Sequence, residues 1–126
     1  MSEVASVSVE DFEGAARHDG TMINAWLRGT ADYAALDAID MLLSRIHVEA
    51  NRLGVKEAVV DLRQLEFMNS SCFKSFVSWI NDIQGLEQER RYKIKFLANP
   101  KLHWQRRSLT SLRCFAVDLV SVTESQ

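Results

Sequence analysis

The sequence predicts a single α/β domain built on a mixed, mostly parallel β-sheet with helices packed on it, in the order β-β-α-β-α-β-α-β. Three observations carry that expectation. Short β-prone runs alternate with longer segments of helical periodicity along most of the chain. Each helical segment has its own start or stop signal. The length of 126 residues, 47% of them hydrophobic and 25% charged, suits one core without metals or disulfides. The domain is expected to span residues 1–126, with its core at about 4–122.

The first 29 residues read as two strands. Val4, Val7, Val9 and Phe12 alternate weakly; after the turn-like His18-Asp19-Gly20, Met22 to Leu27 alternates better and stops at Gly29. Asp32 is placed as the N-cap of a long helix. Leu36, Ile39, Leu43, Ile46, Ala50 and Leu53 form its apolar stripe, and Gly54 stops it. Val55 to Leu62 has the continuous apolar centre of an interior strand. A loop from Gln64 to Met68 is expected next, then a helix opening at Asn69-Ser70-Ser71 with Phe73, Phe76, Val77, Ile80 and Ile83 on its inner face. Tyr92 to Leu97 alternates as a strand. Asn99-Pro100 predicts the start of a third helix with Leu102, Leu109 and Leu112 inward, and Phe115 to Val122 closes the chain as a strand.

Composition removes several functions. The opening Met1-Ser2-Glu3-Val4-Ala5 has neither the basic segment nor the apolar run of a signal peptide, and no stretch approaches the ~18 consecutive apolar residues of a membrane span. The expectation is a cytoplasmic protein without membrane insertion. Cys72 and Cys114 lack a CxxC spacing and are expected to be reduced. No nucleotide-binding glycine motif, nucleophile elbow or HExxH is present, and His18, His47 and His103 lack metal-ligand spacing. No metal, no cofactor and no catalysis are expected. Cys72 stands at a helix start, where the dipole can lower a thiol pKa; its default reading is a buried structural cysteine, and a small enzyme using Cys72 or Ser71 is a third alternative.

The net charge of −2 conceals a skew. Residues 1–40 hold eight acidic residues and two arginines, whereas residues 90–117 hold eight basic residues and no acidic one. The basic run reads first as a solvated face. The sharper alternative is docking to an acidic partner or anionic lipid with Trp104 as an aromatic anchor. Nucleic acid is not expected as a partner, because no reading motif accompanies the charge.

The most informative stretch is Val59-Val60-Asp61-Leu62, then Phe67-Met68-Asn69-Ser70-Ser71-Cys72. As physics alone it is a strand, a connection and a hydroxyl-lined helix start. In sequence it resembles the signature of STAS domains, and within them the bacterial anti-sigma factor antagonists: a hydrophobic strand, D/N-L, a short loop, F-M-D-S-S-G, then a helix. Leu27-Arg28-Gly29-Thr30-Ala31-Asp32 resembles the family's L-x-G-x-x-D between second strand and first helix. Asn69 stands where the pattern has Asp, and Cys72 where it has Gly.

The resemblance implies a protein-interaction switch. The unmodified antagonist binds a serine kinase that doubles as an anti-sigma factor, phosphorylation prevents binding, and a phosphatase restores it. It implies Ser70 as the phosphoacceptor, with Ser71 as the alternate. Gly29, Thr30, Asp32, Asn69, Ser70, Ser71, Cys72 and Lys74 would form the partner surface. A phosphate adds about −1.5 to −2 charges. At Ser70 it would meet the positive end of the helix, with Lys74 one turn on. The alternative within the family is an unphosphorylated adaptor subunit of a transport or signalling complex.

Overall fold

Burial alternates along the strands of the computed structural model, which describes residues 1–125, and that alternation assigns one sheet face to the core. Ile23, Ala25 and Leu27 are buried while Trp26 and Arg28 between and beyond them are exposed; Ile94, Phe96 and Ala98 are buried while Lys93 is exposed. The strands are β1 (Ser2–Val9), β2 (Phe12–His18), β3 (Ile23–Ala31), β4 (Glu57–Met68), β5 (Lys93–Ala98) and β6 (Val120–Glu124). The helices are α1 (Leu36–Leu53), α2 (Ser70–Gln84) and α3 (His103–Phe115). Strand order in space follows strand order in sequence. β1, β2 and β3 pair antiparallel; β3, β4, β5 and β6 pair parallel. Three right-handed crossovers advancing in one direction put the three helices on one face. The opposite face carries Glu13, Arg17, Trp26 and Arg28, with the Arg28 guanidinium 4.7 Å above the Trp26 ring and 3.2 Å from Glu13.

The mixed, mostly parallel architecture is as the sequence predicts, with one addition. Three strands, not two, precede the first helix, because Phe12–His18 is a strand of its own. Its Gly14, Ala15 and Ala16 have little β propensity, and Gly14 has a packing reason to be small: a Cβ there would lie 3.0 Å from Leu42 Cδ2 of α1.

The expected loop at 64–68 is instead the second half of β4. Between Trp26–Asp61 and Arg28–Gln64 the pairing gains one residue on β4, and between Gly29–Leu65 and Thr30–Phe67 it gains another. Each bulge shifts the side-chain phase, so Leu62 and Leu65, three apart, are both fully buried. β5 pairs with β4 only as far as Asp61, leaving later carbonyls without a strand partner. Gln105 Nε2 donates to Leu62 O at 2.6 Å and to Leu65 O at 3.0 Å, and Asn99 Nδ2 donates to Arg63 O at 3.2 Å.

The same contacts move the third helix. Asn99 Oδ1 accepts from Lys101 N in a tight turn, so its side chain is not available to cap a helix, and α3 begins three residues beyond Pro100 at His103. The last strand is shorter than expected. Phe115 ends α3 and is exposed, Ala116 N bonds back to Leu112 O and Arg113 O, and β6 starts at Val120. In α2 the inner face is rotated from the expected one. Cys72, Phe76, Trp79, Ile80 and Ile83 are buried, while Phe73 and Val77 are only half-buried.

Candidate functional site

Two chain segments converge at the start of α2. Thr30 pairs with Phe67 and Ala31 with Met68 at the C-terminal ends of β3 and β4. Asn69 N then donates to Ala31 O at 2.9 Å, which aligns the end of β3 with the first turn of α2. Asn69 has extended φ and ψ of −78° and 172°, and its Oδ1 accepts from Cys72 N at 2.9 Å. That is the N-cap arrangement the sequence predicts, and it satisfies one of the orphan donors of the helix. Ser70 is the first helical residue and is exposed; Ser71 is half-buried; Lys74, one turn on, is exposed.

Across from this turn, Asp32 Oδ1 accepts from Ala34 N at 3.1 Å and caps a single 3-10 turn, Tyr33–Ala35, that feeds α1. Asp32 and Thr30 therefore border the start of α2. Gly29 sits further back, opposite Leu65. Its φ of 92° and the 1.9 Å that would separate a Cβ from Asp11 O exclude any side chain there. Thr30 N donates to the same Asp11 carbonyl at 2.9 Å, so this glycine lets the β1–β2 turn lock the end of β3.

Cys72 points inward. It is fully buried, its Sγ donates to Asp32 O at 3.4 Å, and burial raises its pKa, with the Asp40 and Asp32 carboxylates adding to the rise. Of the two readings of Cys72, a reactive thiol and a buried structural cysteine, its burial supports the second, and desolvation with two nearby carboxylates raises the thiol pKa against the first. The Cys72 side chain lies in the core, whereas Ser70 is exposed.

Sequence reasoning missed two exposed aromatics beside this turn. Tyr33, next to Asp32, is 77% exposed, and Phe67, opposite Thr30, is 47% exposed. Their signal was present as large apolar residues within two positions of the cap residues Asp32 and Asn69.

The basic run does not form one patch. Lys93 and Lys95 lie on the helix-free sheet face; Arg91 donates to Leu86 O and Gln84 O, joining α2 to β5; Arg106 pairs with Glu124 at 3.1 Å. Trp104 is half-buried against the core, which corrects its placement as an outward anchor. Among the described residues there is no His, Cys, Asp and Glu cluster of metal-binding type, and no helix long and apolar enough to cross a membrane.

No family model matches the chain, and no curated protein matches it in sequence. A solved structure does. The crystal structure of an anti-sigma factor antagonist from Mycobacterium paratuberculosis is similar over 86% of this chain and 86% of that one, with a TM-score of 0.63 at 19% sequence identity. The six-stranded mixed sheet and its three helices thus share the fold of that anti-sigma factor antagonist.

Proposed function

We propose that the protein is a partner-switching regulator whose binding is controlled by phosphorylation of Ser70, with no catalysis of its own. The observation that carries this reading is the position of Ser70: exposed, first in its helix, and bordered by Asp32, Tyr33 and Phe67. Backbone N–H groups of a first helical turn and the positive helix end stabilise an added phosphate, and Lys74 is one turn away. The domain tolerates the dianion without refolding. A partner seated on the same turn does not, because it would desolvate the charge without neutralising it.

The partner of the unmodified state is a kinase of the anti-sigma type, and a phosphatase reverses the modification; both act in the cytoplasm. The departures from the family pattern fit this role. Asn69 keeps the N-cap bond, and Cys72 adds its volume to the core.

Incubation with candidate serine kinases and ATP, followed by mass spectrometry, tests the assignment. Phosphate is expected on Ser70 and is lost in Ser70→Ala. Uptake that is unchanged in Ser70→Ala removes Ser70 as acceptor, and Ser71 is then the next residue to substitute.

A further inference from the structure

The sheet ends on β1 at one side and on β6 at the other. The pairing of β1 is broken between Glu3 and Ala5, and such a bulge spoils an edge as a template, whereas β6 pairs with β5 in unbroken register. Ile94 N donates to Leu119 O at 2.8 Å and Ser125 N to Ala98 O at 2.8 Å, so Ser121 and Thr123 between them turn their backbone groups to β5. Those of Val120, Val122 and Glu124 point away from the sheet. Val120 N is taken by Ala116 O at 3.0 Å. An added strand would therefore find the N–H groups of Val122 and Glu124 and the carbonyls of Val120, Val122 and Glu124.

The side chains of these residues stand on the helix face. Glu124 accepts from Arg106 Nη2 at 3.1 Å, and Val122 lines a groove of about 240 Å3 together with Ala98, Arg106, Thr110 and Arg113. Arg106 and Arg113 are two turns apart on α3, roughly 10 Å along its axis, which is close to the ~13 Å from Val120 to Glu124. The crossover runs α3 against β6, so Arg113 stands level with the Val120 end of the strand. Arg106 has Glu124, but Arg113 is exposed and forms no ion pair among the described residues.

We propose that β6 pairs antiparallel with β6 of a second copy of this chain, about a two-fold axis at Val122. The two Val122 residues exchange both of their backbone bonds, and the Glu124 N–H of each copy donates to Val120 O of the other. The same register brings the partner's Glu124 to the Val120 end, where it supplies the counter-ion that Arg113 lacks. The half-buried Val122 side chains meet at the axis and cover each other. An acid at one end of the strand and an unpaired arginine beside the other make the edge complementary to itself, which favours a second copy over an unrelated strand. Ser70 lies at the ends of β3 and β4, away from this edge, so the pairing is independent of the switch proposed above.

Pairing of two five-residue strands is at the small end of specific interfaces, so a dissociation constant of about 10–100 µM is expected. Sedimentation across that range should show a monomer–dimer equilibrium, with the Val122 and Glu124 amides protected from exchange as the dimer forms. Val122→Pro removes an N–H that β5 does not use, so the amide spectrum should keep the fold while the dimer is lost. Arg113→Glu and Glu124→Arg each set like charges against one another across the axis and should weaken association at least ~10-fold. An equimolar mixture of these two variants should associate again, because each then meets the opposite charge on the other. A monomer throughout the range, a dimer that survives Val122→Pro, or variants that stay apart on mixing overturns the proposal. A chain that remains monomeric while an extended acidic peptide protects the same amides assigns the edge to another protein and overturns it too.

Discussion

Cys72 Sγ lies 3.4 Å from the backbone carbonyl oxygen of Asp32, forty residues earlier in the chain, and joins the two segments that resemble the family signature. The thiol is fully buried with a raised pKa, whereas Cys114 is exposed and free. A disulfide-exchange reagent should therefore titrate one thiol rapidly under native conditions and the second only on unfolding. Cys114→Ser is expected to remove the rapid phase. Two rapid phases in the folded protein would place Cys72 at the surface.

Asn69 tests the local architecture at the start of α2. Asn69→Ala removes the bond to Cys72 N and should cost about 1 kcal/mol in chemical denaturation. Asn69→Asp keeps the acceptor, adds a charge favoured at a helix N-terminus, and should match or exceed the parent's stability. Equal losses in both variants would show that the cap bond is not what Asn69 contributes.

Gln105 joins α3 to the bulged part of β4. Its Oε1 accepts from Asn99 N at 2.8 Å, and its Nε2 serves two carbonyls of β4. Gln105→Leu strands these buried backbone groups and should cost about 2–4 kcal/mol, read as a lower denaturation midpoint. A loss under ~1 kcal/mol would mean that water or local rearrangement replaces the amide.

His47 makes stability pH-dependent. Burial lowers its pKa below the ordinary 6.5, with Asp82 opposing in part. The unfolded chain thus binds the proton more readily than the folded one. The contribution is full above pH 6.5 and is lost as pH falls toward the depressed folded value. Asp61, held below 3.8 by the hydrogen-bonded Arg63 guanidinium, loses its contribution only at lower pH. The melting temperature should fall between pH 7.5 and 5.5, and His47→Gln should flatten that fall. An unchanged slope in His47→Gln would assign it to other groups.

The fold class was legible because α1, β5 and the cap of α2 each satisfy local propensity and burial at once. Legibility ended where tertiary contacts override local signals. Gly14 is small because Leu42 needs the space, so β2 carries no strong β signal. The first bulge in β4 places Leu62 and Leu65 on the same face, and their three-residue spacing resembles a loop or helix. Asn99 looks like a cap, but its oxygen serves Lys101 and its amide serves Arg63. Gln105 is fully buried, which no residue-type rule anticipates.

The start of α2 and its surroundings were legible only in part. The cap residues and Asp32 stand out by type and spacing. The exposure of Tyr33 and Phe67 depends on how β3 meets α2.

The central claim is that a phosphate on Ser70 blocks a docking surface without altering the fold. Its most direct test compares protein phosphorylated only at Ser70 with unmodified protein, measuring affinity for one partner that binds the unmodified form at fixed ionic strength. Amide spectra of both forms report the fold. Spectral changes should be confined to the start of α2 and its neighbours, with affinity at least ~30-fold weaker, the ~2 kcal/mol expected for an uncompensated charge in a desolvated contact. Equal affinity of the two forms, or a loss of affinity accompanied by unfolding, would contradict the account.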